Sequence, residues 1–245
     1  MQTARYNPAR RFFLRLLLAG GGFIFLGFPV NIRRALALGK YEFPSGMHTI
    51  KGEVKINGVT AQIGSAVNPG DVVTTGRASM AIFVIERDVY LVRENTHVAL
   101  VSRTAEALKL GVADVLRILN GKMLSVFGRG KKRLEMPTAV VGVRGSGVYV
   151  ESDPQRTYLC TCYGVADISA TADPAERKTV RTIHHEAPLF IYGSLSASQR
   201  KMLIVPATVF NHTDAELIRL ESLVLREPPF ARRQRGGNGG GGGGY

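Results

Sequence analysis

From Lys51 onward, apolar and polar residues alternate with a period of two, as in "KGEVKINGVTAQIG". Val54 and Ile56 lead into Asn57-Gly58, and Val59, Ala61 and Ile63 follow it. Successive side chains on a strand face opposite ways, and Asn-Gly tolerates the positive φ of a two-residue turn, so the stretch predicts a β-hairpin. Turn residues recur at "NPGD" (68–71), at Asn120-Gly121 and at "GRGKK" (128–132). Between them lie the β-branched or aromatic runs "MAIFVI", "VYLV", "HVALV" and "AVVGV". Many short strands at this spacing predict a mainly β fold, a sandwich or barrel. The stretch "TAEALKLGVADVLRIL" fits helix and strand equally well.

Past Tyr192 the period changes. Ser196 with Gln199, and Thr213 with Glu216, have capping-box spacing, in which two side chains satisfy helix-start amides reciprocally. Leu217, Leu220 and Val224 then recur at helical spacing until Pro228 and Pro229 stop the helix. The glycine run after Arg235 has too little to bury to offset its chain entropy, so disorder is expected there. The pattern divides the chain into a leader (1–37), a β domain (38–192), a helical extension (193–228) and a disordered basic, Gly-rich tail (229–245).

The leader has its own signature. A basic start precedes an apolar run of about fifteen residues, 16–30. A spanning helix wants roughly twenty apolar residues, so the run reads as a removable signal rather than a span. Arg10 and Arg11, followed by Phe12, Phe13, Leu14 and Arg15, resemble the twin-arginine export motif. Ala35 and Ala37 supply the small residues that a signal peptidase accepts, which places cleavage after Ala37. An ordinary secretory signal and an uncleaved anchor are the alternatives. The expected location is periplasmic or otherwise exported, with membrane attachment only if the signal is retained.

Removal of the leader changes the charge. Residues 1–37 hold six of the 32 Lys+Arg and none of the 19 Asp+Glu, which leaves 26 basic against 19 acidic groups, a net +7. That modest excess suits anionic envelope surfaces and gives little reason to expect nucleic acid. "GRGKKR" (128–133) reads first as a solvated hairpin tip. No Gly-rich loop ends in Gly-Lys-Ser/Thr, "GVRGSG" has the wrong order for a dinucleotide fingerprint, and no Ser/His/Asp arrangement is readable. No enzyme activity is therefore expected.

The segments "GDVVTTGRASMAIFVI", "VYLVRENTHVAL", "LRILNGKMLSVFG" and "MPTAVVGVRGSGVYVE" follow one another in the order and spacing of a FecR domain. The resemblance runs from about residue 62 to 169. It implies a β-sandwich or jelly-roll-like fold and a non-catalytic role in protein binding and signal transduction. Its most specific part holds Pro137, Gly142, Arg144 and Gly145. The glycines allow close approach or positive φ, and Arg144 is expected in a tight apolar place where it clamps carbonyls or a carboxylate. Glu86-Arg87-Asp88 stands where the family usually has an Asp-Gly-Ser-like turn, which implies a longer or differently bent hairpin. Iron-uptake regulators of this family resemble relays with a cytoplasmic sigma-factor-binding segment. Only nine residues precede Arg10, so no direct sigma-factor contact is expected, and the partner is read as an envelope protein or wall polymer.

The two cysteines of the chain, Cys160 and Cys162, flank Thr161 in "RTYLCTCYG". On a strand they face the same side with Cα atoms about 6.5–7 Å apart, at the edge of disulfide geometry. Downstream, "TVRTIHHEAP" carries His184 and His185, two of five histidines. A hairpin turning near Pro174-Ala175 would set them opposite 162–164, where two thiolates and an imidazole make a ligand set for zinc or copper(I). Adjacent histidines face opposite sides of a strand, so only one could join. A metal or thiol redox site is one reading. The other makes the cysteines small buried apolar groups beside an exposed histidine pair.

Overall fold

The structure is a computed structural model and describes residues 45–101, 114–194 and 202–231. The leader residues Arg10, Arg11, Phe13, Leu14, Arg15, Ala35 and Ala37 lie outside it, as do Ser196, Gln199 and the glycine run. In chain order the strands are β1 (Gly46–Lys51), β2 (Val54–Ile56), β3 (Val59–Thr60), β4 (Val72–Thr75), β5 (Met80–Ile85), β6 (Asp88–Val92) and β7 (His97–Val101). They continue with β8 (Asp114–Val126), β9 (Lys131–Glu135), β10 (Ala139–Ser152), β11 (Arg156–Ala170), β12 (Arg177–Thr182), β13 (Leu189–Tyr192) and β14 (Ile204–Pro206). One helix follows, α1 (Asp214–Leu223), and a further helical turn begins at Pro229. The chain is thus mainly β with short C-terminal helices, as the alternation predicts. No described helix is long and apolar enough to cross a membrane.

Three long strands organise the sheet by changing partners midway. The first half of β10 pairs with β9 and the second half of β11, whereas its second half pairs with β8 and the first half of β11. The switch falls at Gly145–Gly147, where the register shifts and Gly145 takes φ +54°. A Cβ on Gly147 would lie 2.4 Å from the Tyr163 ring, so only glycine lets the strands meet there. The first halves of β8 and β10 continue through β7, β4, β2 and β3, and the second halves through β6, β5 and β1.

This arrangement buries both faces of the second group of strands. Phe83, Tyr90, Val92, Val148, Val150 and Leu159 point into the main core. Their neighbours Ile82, Leu91, Leu124, Tyr149, Tyr158 and Cys160 point the other way, into a second core closed by Leu217, Leu220, Val224 and Phe230. Strands buried on both faces carry nearly continuous apolar runs rather than clean alternation, as "MAIFVI" and "DVYLV" do.

Several local expectations meet a different geometry. Asn57-Gly58 closes β2 onto β3 with both residues at positive φ, as expected. Asn120-Gly121, by contrast, is no turn: it lies inside β8, with Gly121 at φ +104°. The β5–β6 hairpin is closed by two residues, Glu86 and Arg87, with Ile85 opposite Asp88. It is not lengthened, because Asp88 is drawn inward to a buried ion pair with Lys132 at 2.6 Å and a hydrogen bond from the Gly128 amide at 2.7 Å. Beyond Tyr192 the sheet continues: β14 pairs with β13 before the chain reaches α1. The last six residues of "TAEALKLGVADVLRIL", from Asp114, belong to strand β8.

Candidate metal centre

The alternation of β11 decides where its thiols go. Leu159 enters the main core, and Tyr158, Cys160 and Cys162 face the second core, both sulfurs fully buried and unbridged. The strand turns through "TADPAERK" and returns as β12, with Ser169 opposite Arg177 and Gly164 opposite Thr182. Just past Thr182 the His185 amide donates to the Cys162 carbonyl at 2.9 Å. His185 takes φ +55°, which directs its ring inward and brings Nδ1 to 3.4 Å from Cys160 Sγ. The pair lies on a loop and does not face opposite sides as it would on a strand: the two ring centroids are 4.9 Å apart. Half-exposed His184 has its Nε2 2.8 and 2.9 Å from the two Asp214 oxygens, while only His185 reaches the thiols.

The C-terminal segment supplies a fourth donor that sequence spacing does not reveal. His212, buried beneath the start of α1, stacks on Tyr149 with ring centroids 4.5 Å apart. Its Nδ1–H donates to the Phe210 carbonyl at 2.7 Å, which fixes the tautomer and leaves the Nε2 lone pair facing the thiols. That Nε2 is 3.1 Å from His185 Nδ1. Ligand atoms of Cys160, Cys162, His185 and His212 all lie within 4.8 Å of one another. The Asp214 carboxylate accepts from His185 Nε2 at 3.0 Å, the carboxylate–histidine relation that commonly orients a metal ligand.

The electrostatics favour a charged pair within this cluster. The Cys160 thiol is held well below its usual range by hydrogen bonding with Cys162, which outweighs burial, and by His185 and His212. Burial, together with the neighbouring Cys160, pushes Cys162 well up. Burial opposes a charge on His185, but Cys160 and Asp214 overcome it and raise its pKa. Asp214 is likewise lowered, since the hydrogen bonds from His184 and His185 exceed its desolvation.

The residues of the FecR-like motif sit elsewhere. Pro137 is exposed at the turn between β9 and β10, and Gly142 faces Asp167 across the β10–β11 pair with nothing closer than 3.9 Å to a built Cβ. Arg144 does not occupy an apolar niche. It is exposed and pairs with Asp167 at 3.0 Å, because Val141 and Val143 face the main core and the alternation of β10 turns Arg144 outward.

No protein-family model matches this chain, and no curated protein matches it. Two crystal structures of a candidate anti-sigma factor from Parabacteroides distasonis are similar, each at 8% identity and a TM-score of 0.44. Each match covers 56% of this chain and 59% of that protein, a weak structural similarity. One expectation is corrected by it. The exclusion of sigma-factor contact, drawn from the short segment before Arg10, set aside the one role named for these structures. That exclusion does not stand, nor does the choice of an envelope protein or wall polymer in its place.

Proposed function

We propose that this chain is an exported, non-catalytic sensing module whose functional centre is one metal ion held by Cys160, Cys162, His185 and His212. The observation that carries the reading is the convergence of these four donors in the second core. Four protein ligands fill a tetrahedral site and leave no open position, the pattern of a structural or sensing centre rather than a catalytic one. Charge selects the ion. Two thiolates and two neutral imidazoles balance a divalent cation, whereas copper(I) leaves one net negative charge in a buried place, which is costly. The reading is therefore zinc, which supplies cross-linking between chain segments rather than redox chemistry.

The twin-arginine motif at Arg10 and Arg11 and the cleavage pattern at Ala35 and Ala37 support export of residues 38–245 to the periplasm or an equivalent compartment. The FecR-like motifs from 62 to 169 support a sensing rather than an enzymatic role. Zinc at a hundred times its Kd should raise wild-type stability by about 2.7 kcal/mol. A Cys160→Ser, Cys162→Ser double variant should gain less, because the buried site loses its thiolates. Thermal unfolding with and without zinc measures this, and an equal gain in both proteins removes the proposal.

A further inference from the structure

His185 presents a ring nitrogen to each of two donor groups. Its Nδ1 faces Cys160 and His212, and its Nε2 faces Asp214 at 3.0 Å. Beyond Asp214 stands His184, whose Nε2 approaches both carboxylate oxygens at 2.8 and 2.9 Å. Ligand atoms of His184, His185 and Asp214 lie within 4.8 Å of one another, and they form two imidazoles and a carboxylate. From these contacts we infer that the chain carries a second divalent-metal site, outside the buried one and joined to it through the His185 ring.

The second site differs from the first in chemistry and in access. It has no sulfur, so it suits ions that accept imidazole and carboxylate, such as zinc, cobalt(II) or copper(II), and not soft copper(I). The side chains of His184 and Asp214 are 41% and 40% exposed, so water completes the coordination and the ion exchanges with solvent. Three protein ligands with an open position are also the set through which a metal takes an added ligand. Three supports hold the donors in place. His184 stacks on Phe230 with centroids 4.5 Å apart, the capping box of Thr213 and Glu216 sets the chain direction at Asp214, and the His185 amide is tied to Cys162. On loading both sites, His185 gives up both ring protons to solvent and binds one ion through each nitrogen. The bridging role of His185 rests on the buried-site reading above; the outer trio of donors does not.

Cobalt(II) distinguishes the two sites, because only the buried one has thiolates to give a sulfur-to-cobalt charge-transfer band. The full chain, loaded with cobalt(II) and freed of excess, should hold two ions and show that band. His184→Ala should hold one ion with the band unchanged, and circular dichroism checks that the variant folds. One ion with the band in wild type, and the same count in His184→Ala, overturns the second site and leaves the buried one standing. Absence of the band in wild type overturns the buried-site reading. The outer trio is then judged on its own: a single ion lost in His184→Ala supports it, and a count unchanged by that substitution overturns it.

Discussion

Gly121 shows how a residue signal can be right about φ and wrong about structure. Asn-Gly marks backbone that tolerates φ > 0, and φ +104° is found there, but within β8 and not at a chain reversal. The reason is Thr96, whose hydroxyl accepts from the Lys122 amide at 2.9 Å and donates to the Glu94 carbonyl at 3.1 Å. A Cβ on Gly121 would lie 2.2 Å from Thr96 Oγ1 and 2.4 Å from its Cα. Gly121→Ala therefore combines overpacking with a strained φ. It should destabilise the fold by about 1–3 kcal/mol, read as a lower denaturant midpoint with an unchanged slope; an unchanged midpoint contradicts this account. Cys160, Cys162 and His185 were legible for a related reason, since a strand and its returning hairpin can be counted in register from Pro174-Ala175. His212 was not, because no local spacing links it to β11. Its one visible sign was its place directly before the capping box at Thr213.

At the level of elements, α1 was readable because two independent signals agreed. The Thr213–Glu216 capping box is present with both hydrogen bonds, and Leu217 and Leu220 face the second core. Polar anchors then orient the helix. Arg93 on the sheet pairs with Glu216 at 2.7 Å, while Tyr163 donates to Glu221, which Arg226 also reaches. β14 was hidden, since a three-residue strand next to a helical pattern carries too few alternations to register. Leu220→Ala removes a fully buried side chain and should cost about 2–5 kcal/mol. Because α1 holds His212 in place, zinc affinity should fall with it. Urea unfolding and zinc titration of the same variant test both parts, and full stability loss with unaltered affinity separates the helix from the site.

Across the whole molecule, the mainly β architecture follows from the alternation, but the assignment of strands to faces does not. β8, β10 and β11 exchange partners at glycine bends, and only that exchange exposes Tyr149, Tyr158, Cys160 and Cys162 to one common surface. The cover over that surface is the segment from Phe210 to Phe230, tied to the sheet by the proposed ion. Chelation of the zinc-loaded chain should loosen this cover, so that trypsin cuts after Arg219 and Arg226 several-fold faster. In the Cys160→Ser, Cys162→Ser variant the same chelator should accelerate cutting less. Equal acceleration in both proteins shows that the ion does not hold the segment.

The distribution of donors along the chain also fixes an order of events. Cys160 and Cys162 come from β11, His185 from the return of its hairpin, and His212 from the approach to α1. Until the last of these strands and turns is in place the four are scattered, and a loose coil offers the ion nothing better than a pair of thiols. If the four hold zinc as proposed, its capture is a finishing step, available to a completed fold. A polypeptide drawn through a membrane as a thread would reach the far side with its donors apart and would have to find its ion there.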